Sequence, residues 1–478
     1  MSFGRPTHGP DRPPAADRFL FGGLLALLVW LPLPLGSNRP WAWAIMQAWV
    51  FVLAALWLIG YAGGKVSVTD AFRQARWALL LLGLWLLYGL AQLVPLPLDW
   101  LHDLSPLAAQ SYLALESIGP DLTLAPVTVD AHATTSAGLK GLAYVLVFAL
   151  VLLLVNRRTR LRRLAEVLVA AAVFQSMLAS LQSLAGVDFA FVEHKGVAHG
   201  TFVNRNHLAG YLEMNLAIGI GLLIASMTGQ PPQSWRQRLR QLSQVLLGPK
   251  ARLRVYLAIM VVTLVLTHSR MGNTGFFASM LVAGLLALLL FRQSPRPVVV
   301  LIVSLLVIDI FIVGAWFGLE KVQQRIVNTT LETEARDEVD YYAWGQTRDF
   351  LITGSGAGSF YTVFPYYREH DIRGFYDHAH NDYLELLSES GVIASCLLAA
   401  TVLLCLGAAL LAQRRRHDPL MRGMGFAATM GITAILIHSS VDFNLQIPAN
   451  AALFMVLLAL PWLTLDLAKR SARPQNVA

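Results

Sequence analysis

The chain has 478 residues, of which 56% are hydrophobic and only 14% charged, and its mean hydropathy is +0.55. That balance excludes a soluble globular protein, and apolar stretches long enough to cross about 30 Å of hydrocarbon recur from end to end. The formal charge of +8 sits in short stretches between those runs, so it reads as a topology signal and not as a nucleic-acid footprint.

Residues 1–17 are polar and Pro-rich, the composition of a flexible cytoplasmic tail. The first apolar run, 19–35, has no small-residue cleavage pattern and is followed by further runs, so it is expected to be retained. Predicted spans then follow at 41–62, 77–95, 138–155, 164–186, 207–227, 255–268, 272–291, 297–317, 391–412, 423–441 and 449–466. Helices are required, because each span must satisfy its own backbone hydrogen bonds in lipid, and the alternation of an outer-membrane barrel is absent. The expectation is an all-α polytopic membrane protein of about twelve transmembrane helices.

Lys and Arg set the orientation. With the N-terminus inside, the inner stretches hold Lys65 and Arg73, the run Arg157 to Arg163, Arg236 to Arg254, Arg414 to Arg416, and Lys469. The outward segment 97–137 has neither Lys nor Arg and is expected to fold along the surface. The second outward segment, 318–390, is expected to be largely helical and lies between spans nine and ten. Leu331 to Glu338 reads as a helix, Tyr341-Tyr342-Ala343-Trp344 gives it an aromatic face, and Gly354-Ser355-Gly356-Ala357-Gly358-Ser359 ends it. A glycine run can ring a phosphate with backbone N–H groups, but no Lys-Ser/Thr follows, so a flexible turn between two loop helices is the better reading. Cys396 and Cys405 fall on opposite faces of one helix and are expected to remain unpaired.

The polar clusters gather at one face. Asn204-Arg205-Asn206-His207 lies at the outer end of span six, and Ser269-Arg270 in the turn between spans seven and eight. An arginine at a helix end can be a snorkelling anchor, but two of them amid Asn, Ser and Gly can also clamp a diphosphate bidentately. His378-Ala379-His380-Asn381-Asp382 precedes span ten, and an H-x-H pair suits zinc binding, loop hydrogen bonding or general-base work. No Cys or HExxH pattern completes a metal site, so no metal or other cofactor is expected. Asp382, Glu385 and Glu389 form one polar helical stripe, readable as a solvated face or as the wall of an acceptor cleft. His438 and Asp442 have i, i+4 spacing. Asp442 is expected to pair with an arginine or orient a loop; Ser439 and Ser440 lack a nucleophile elbow. Glu213 and Asp309 are intramembrane carboxylates, functional candidates by position, with an internal partner expected for Asp309.

From Gly200 to Val441 the chain resembles the O-antigen ligase and polymerase superfamily, membrane glycosyltransferases acting on polyprenyl-diphosphate-linked glycans. The ligase pattern is His, then Asn, Ser or Gln, nine residues, and GxxGTG; here His380-Asn381 is followed by nine residues and Gly391, but Ala394-Ser395-Cys396 replaces the terminal GTG. The resemblance implies an inverting, metal-independent transfer at the periplasmic face of a bacterial inner membrane. It casts Arg205 and Arg270 as diphosphate ligands and His380 as the base, with Asn204, Asn206, His207, His378, Asn381, Asp382, Glu385 and Asp442 in supporting or acceptor-side places. It also divides the chain into N-terminal helices 18–199, a catalytic region 200–448 and a last span with its tail 449–478. The missing GTG favours a repeat-unit polymerase of surface polysaccharide. The alternatives are an O-antigen ligase using lipid A-core, a pilin or protein glycosylase, and a polysaccharide transporter. Transport fits less well, because it predicts midplane polar residues and paired broken helices. The implied partners are the lipid-linked donor, a glycan or lipid A-core acceptor, the bilayer and a chain-length regulator, with no nucleic acid.

Overall fold

Helices form where the apolar runs predict them. The computed structural model describes residues 15–116, 122–187, 196–227, 249–291, 298–305, 307, 331–369 and 376–471. It is 79% helical with almost no strand, which establishes the all-α polytopic class. The long helices are α1 (Ala15–Trp30), α2 (Pro40–Ala62), α3 (Arg76–Ala91), α4 (Ala131–Leu154), α5 (Arg158–Ala185) and α6 (Arg205–Ser226). They continue with α7 (Pro249–Leu266), α8 (Arg270–Leu290), α9 (Leu331–Asp349), α10 (Asp382–Arg415), α11 (Pro419–His438) and α12 (Pro448–Ser471).

Among the described residues, 8 helices are long and apolar enough to cross a membrane: α2, α4, α5, α6, α8, α10, α11 and α12. The expected first, third and seventh spans are α1, α3 and α7, of 16, 16 and 18 residues. The seventh begins before its apolar run because Lys250, Arg252 and Arg254, good helix formers, are drawn into its first turns. Residues 298–305 of the ninth are helical. Asp309, tail residues 1–14 and the start of the second outward segment lie outside the described residues.

The centre of the bundle is α6 and α12, whose apolar windows are wholly buried, with α11 beside them at 83%. Lipid provides no hydrophobic drive between helices, so close approach depends on small residues. Helices α6 and α11 run antiparallel and touch backbone to backbone. A Cβ on Gly221 would stand 2.3 Å from the Gly423 carbonyl oxygen, and one on Gly423 would stand 2.1 Å from that of Gly221.

The two outward segments pack on each other, which corrects the expectation that 97–137 simply lies along the surface. A two-residue antiparallel pairing of β1 (Leu96–Pro97) with β2 (Leu124–Ala125) closes the first segment around the short helices Leu98–Leu104 and Pro106–Glu116. Its buried Leu101, Ala108, Ala109 and Val127 share an apolar cluster with Phe350 and Val363 of the second segment. Gln92, buried at the end of α3, adds a polar stitch. Its Nε2 donates to the carbonyls of Thr353 (2.9 Å) and Glu389 (3.0 Å), and its Oε1 accepts from Ala357 N (3.2 Å).

The glycine run is a packed turn, tighter than the flexible connection expected. Gly354, Gly356 and Gly358 all have positive φ, and a Cβ on Gly356 would fall 2.0 Å from Thr128 Oγ1. Ser355 N and Gly356 N donate to the carbonyls of Ser388 and Glu389 (2.8 and 2.9 Å), binding the turn to α10. α10 is broken where they meet: Gly391 takes φ 68° and ψ 177° while Val392 N donates to Leu351 O (2.8 Å). The backbone N–H groups are thus used within the fold.

Candidate active site

Three helices begin at one end of the bundle, and each begins with a side-chain cap beside a candidate residue. Asn204 Oδ1 accepts from Asn206 N (2.9 Å) and starts α6 at Arg205. Ser269 Oγ accepts from Gly272 N (3.2 Å) and starts α8 at Arg270. Asn381 Oδ1 accepts from Tyr383 N (3.1 Å) and Leu384 N (3.3 Å), starting α10 directly after His380. Asn, Ser and Asp favour such caps because their short side chains reach the orphan N–H groups of the first turn. The ends so formed carry the positive pole of the helix dipole.

The turn after α11 gathers these ends. Asp382 N donates to the carbonyls of Ser439 (3.0 Å) and Asp442 (3.2 Å), while Asp382 Oδ2 accepts from Ser439 Oγ (2.7 Å) and Leu445 N (3.1 Å). Asn450 Nδ2 donates to His207 O and Asn444 Oδ1, each at 3.0 Å. Asp442 lies at the middle, with Oδ1 3.6 Å from His207 Nε2 and 3.9 Å from His380 Nδ1. Asp442 is expected to pair with an arginine or to orient a loop. Among the described residues it faces two imidazoles in place of an arginine, because the turn carries the carboxylate back over the first turn of α6. Its Oδ1 also accepts from Phe443 N within that turn (2.9 Å). His438, its i, i+4 neighbour in sequence, turns to Glu213 instead. Burial alone would raise the Asp442 carboxyl; the adjacent imidazoles, His207 first and then His438 and His380, hold it well below the usual carboxylate range.

Phe443 supplies the packing. Its ring meets His207 (4.6 Å) and His380 (4.7 Å) edge-on and stacks with His378 (4.5 Å). The two histidines of the H-x-H motif have different surroundings. His378 Nδ1 donates to Glu385 Oε1 (2.7 Å), and Ala379 N donates to Glu385 Oε2 (2.9 Å), so Glu385 holds the loop in place. Burial works against charge on His378, but the Glu385 carboxylate outweighs it and lifts the ring to about 9. His380 has φ +55°, a left-handed conformation that side chains larger than glycine seldom adopt.

The polar stripe faces the protein. Asp382, Glu385 and Glu389 are 7%, 1% and 7% exposed, which removes the solvated-face reading. Asp382 holds the turn, Glu385 holds the histidine loop, and Glu389 Oε1 accepts from Phe360 N (2.9 Å).

Arg205 is half-buried and Arg270 exposed. Among the described residues neither guanidinium has an ion-pair partner. The helices they begin are in close contact: a Cβ on Gly272 would stand 2.5 Å from Ala209 Cβ. At 1.5 Å per residue, Arg270 and Arg205 begin about 3 and 6 Å from that contact along their helices. Asn206 is buried in the same first turn of α6.

Beneath the arginines, Glu213 Oε1 and His438 Nδ1 approach to 3.1 Å, both side chains 0% exposed. Sequence reading marked Glu213 as a candidate but supplied no partner. The two positions are 225 residues apart, and no local pattern joins them. Phe443 was likewise missed, since an aromatic residue in a turn carries no distinctive signal.

Residues 255–399 match the family model for O-antigen ligase. Through this segment the chain is similar to the O-antigen ligase and polymerase superfamily. That family is associated with glycosyltransferase-type ligase activity, a glycan or lipid-linked substrate and a bilayer setting. The matched segment contains Arg270, His380 and Gly391, while Arg205, His207 and Asp442 lie on either side of it and are joined to it by the fold. Where the ligase pattern has its second glycine, this chain has Ala394, 1% exposed. No curated protein matches the chain in sequence.

Proposed function

We propose that the chain is an inverting, metal-independent glycosyltransferase at the periplasmic face of the inner membrane. It moves a glycan from a polyprenyl diphosphate onto a sugar hydroxyl. Its preferred acceptor is a second lipid-linked repeat unit, which makes it a polysaccharide polymerase. The observation that carries the reading is the convergence of His380 and Asp442 with two capped, cationic helix ends.

The chemistry follows from these parts. The acceptor hydroxyl oxygen attacks the anomeric carbon as the bond to the diphosphate oxygen breaks with its electron pair. Negative charge grows on the diphosphate, and Arg205 and Arg270 with their helix ends stabilise it where it develops. His380 takes the hydroxyl proton while Asp442 fixes and stabilises the imidazolium. The diphosphate leaves with its lipid, and the glycan is one unit longer with the anomeric centre inverted.

Purified protein given only lipid-diphosphate repeat units tests the assignment. The expected result is a ladder of lengthening lipid-linked chains, with one polyprenyl diphosphate released per linkage. A single product formed only when lipid A-core is added would make it a ligase. Movement of glycan across vesicles without a new linkage would make it a transporter.

A further inference from the structure

Glu213 and His438 lie wholly inside the protein, yet one polar atom on each, Glu213 Oε2 and His438 Nε2, has no hydrogen-bond partner among the described residues. A buried pair left partly unsatisfied is expensive, and replacement by apolar residues would often stabilise a fold. Such a pair is weak evidence for stability, so its place in the network is informative.

That place is the junction between the two halves of the site. On one side, Glu213 belongs to α6, the helix that starts at Arg205. The α8 helix, which starts at Arg270, lies against the pair through two glycines. A Cβ on Gly275 would meet Glu213 Oε2 at 2.9 Å, and one on Gly272 would meet His438 Cε1 at 3.3 Å. On the other side, His438 ends α11, and the next residue, Ser439, donates to Asp382 Oδ2 (2.7 Å) at the start of α10. One turn along α10, Glu385 holds His378 and Ala379 N (2.7 and 2.9 Å), and His380 is next in the chain. Buried polar contacts thus run from the arginine-bearing helices to the histidine loop.

We propose that Glu213 and His438 are positioning residues: their contact sets the His380 loop in register with the arginine-bearing ends of α6 and α8. The role rests on the transferase reading for its consequence, but not for its geometry. Two groups that must act on opposite ends of a breaking and a forming bond need a fixed separation, and an error of 1 Å can cost about 10²-fold in rate. A buried polar pair specifies one alignment of two packed helices, where an apolar contact between small residues would allow several.

The test measures position directly. Spin labels are placed at Cys residues introduced at His268, in the exposed turn before Arg270, and at Asp377, exposed beside His378, with Cys396→Ser removing the exposed native thiol. The parent should give one narrow distance distribution, and Glu213→Gln should broaden or shift it. Gly275→Ala keeps both side chains but drives a methyl toward Glu213, and it should disturb the same distance; it serves if Glu213→Gln fails to fold. In the transfer assay Glu213→Gln should lower kcat about 10²-fold with the donor KM unchanged. Unchanged distributions in the folded variants overturn the proposal, whatever the rate does. A disturbed distance with undiminished transfer upholds the positioning and counts instead against the transferase roles of His380 and the arginines.

Discussion

Replacing Gly391 by alanine should be among the most destabilising single-methyl changes in the chain, for two separate reasons. At φ 68° and ψ 177° the residue occupies a region open almost only to glycine, and holding alanine there costs about 1–3 kcal/mol. The added Cβ would also stand 2.3 Å from Ile352 O and 2.8 Å from Gly354 N. Both are backbone atoms of a turn bonded to α10, and neither can swing aside, so overpacking adds about 1–3 kcal/mol. The sum is roughly 2–6 kcal/mol, a large share of ordinary domain stability. Gly407, further along the same helix, is the control: nothing lies within 4 Å of its Cβ position, and alanine there should gain about 0.5–1 kcal/mol. SDS-driven unfolding of the purified protein in mixed micelles compares the two. If Gly391→Ala unfolds within about 1 kcal/mol of the parent, the turn is more compliant than the contacts require and the reasoning is refuted.

Arg205→Ala and Arg270→Ala should each abolish transfer without loss of membrane insertion, and the lysine variants should recover little, since a point charge lacks the guanidinium fork; full activity in a lysine variant would indicate simple anchoring. His380→Ala should lower kcat by about 10²–10⁴-fold with donor binding retained, measured by lipid-diphosphate binding beside the transfer assay. His378, lifted by Glu385, contributes stability that is complete below its unfolded pKa of about 6.5 and lost as pH rises through about 9. Unfolding free energy measured across that window should therefore decline in the parent, and Glu385→Gln should flatten the decline.

Helix placement was legible in the sequence because apolar run length is a direct readout of bilayer thickness. Candidate residues at helix ends were legible for a similar reason: Asn204, Ser269 and Asn381 are capping residues beside polar groups in an apolar background. Side-chain partners were not. The stripe Asp382, Glu385, Glu389 has the same spacing whether it meets water or protein, and only the packing of the glycine turn and the Asp442 turn decides that it is buried. Asp442 and His438 illustrate the limit. Their i, i+4 spacing suggests a mutual contact, yet the chain leaves the helix at Ser439 and sends each to a different partner.

The joined outer segments bear on how such a protein can diversify. Leu101, Ala108 and Ala109 on one segment and Phe350 and Val363 on the other make one apolar cluster, and Gln92 ties the base of the first to the second and to α10. A change in the shape of either segment is therefore felt by the other, and through Gln92 by the helix that follows the histidine loop. Grafting 350–369 alone from a relative would bring an apolar surface with no matching wall. Exchangeable outer surfaces would have to travel as a pair, so the two stretches should be inherited, and engineered, as a single module despite the 200-odd residues of chain that separate them.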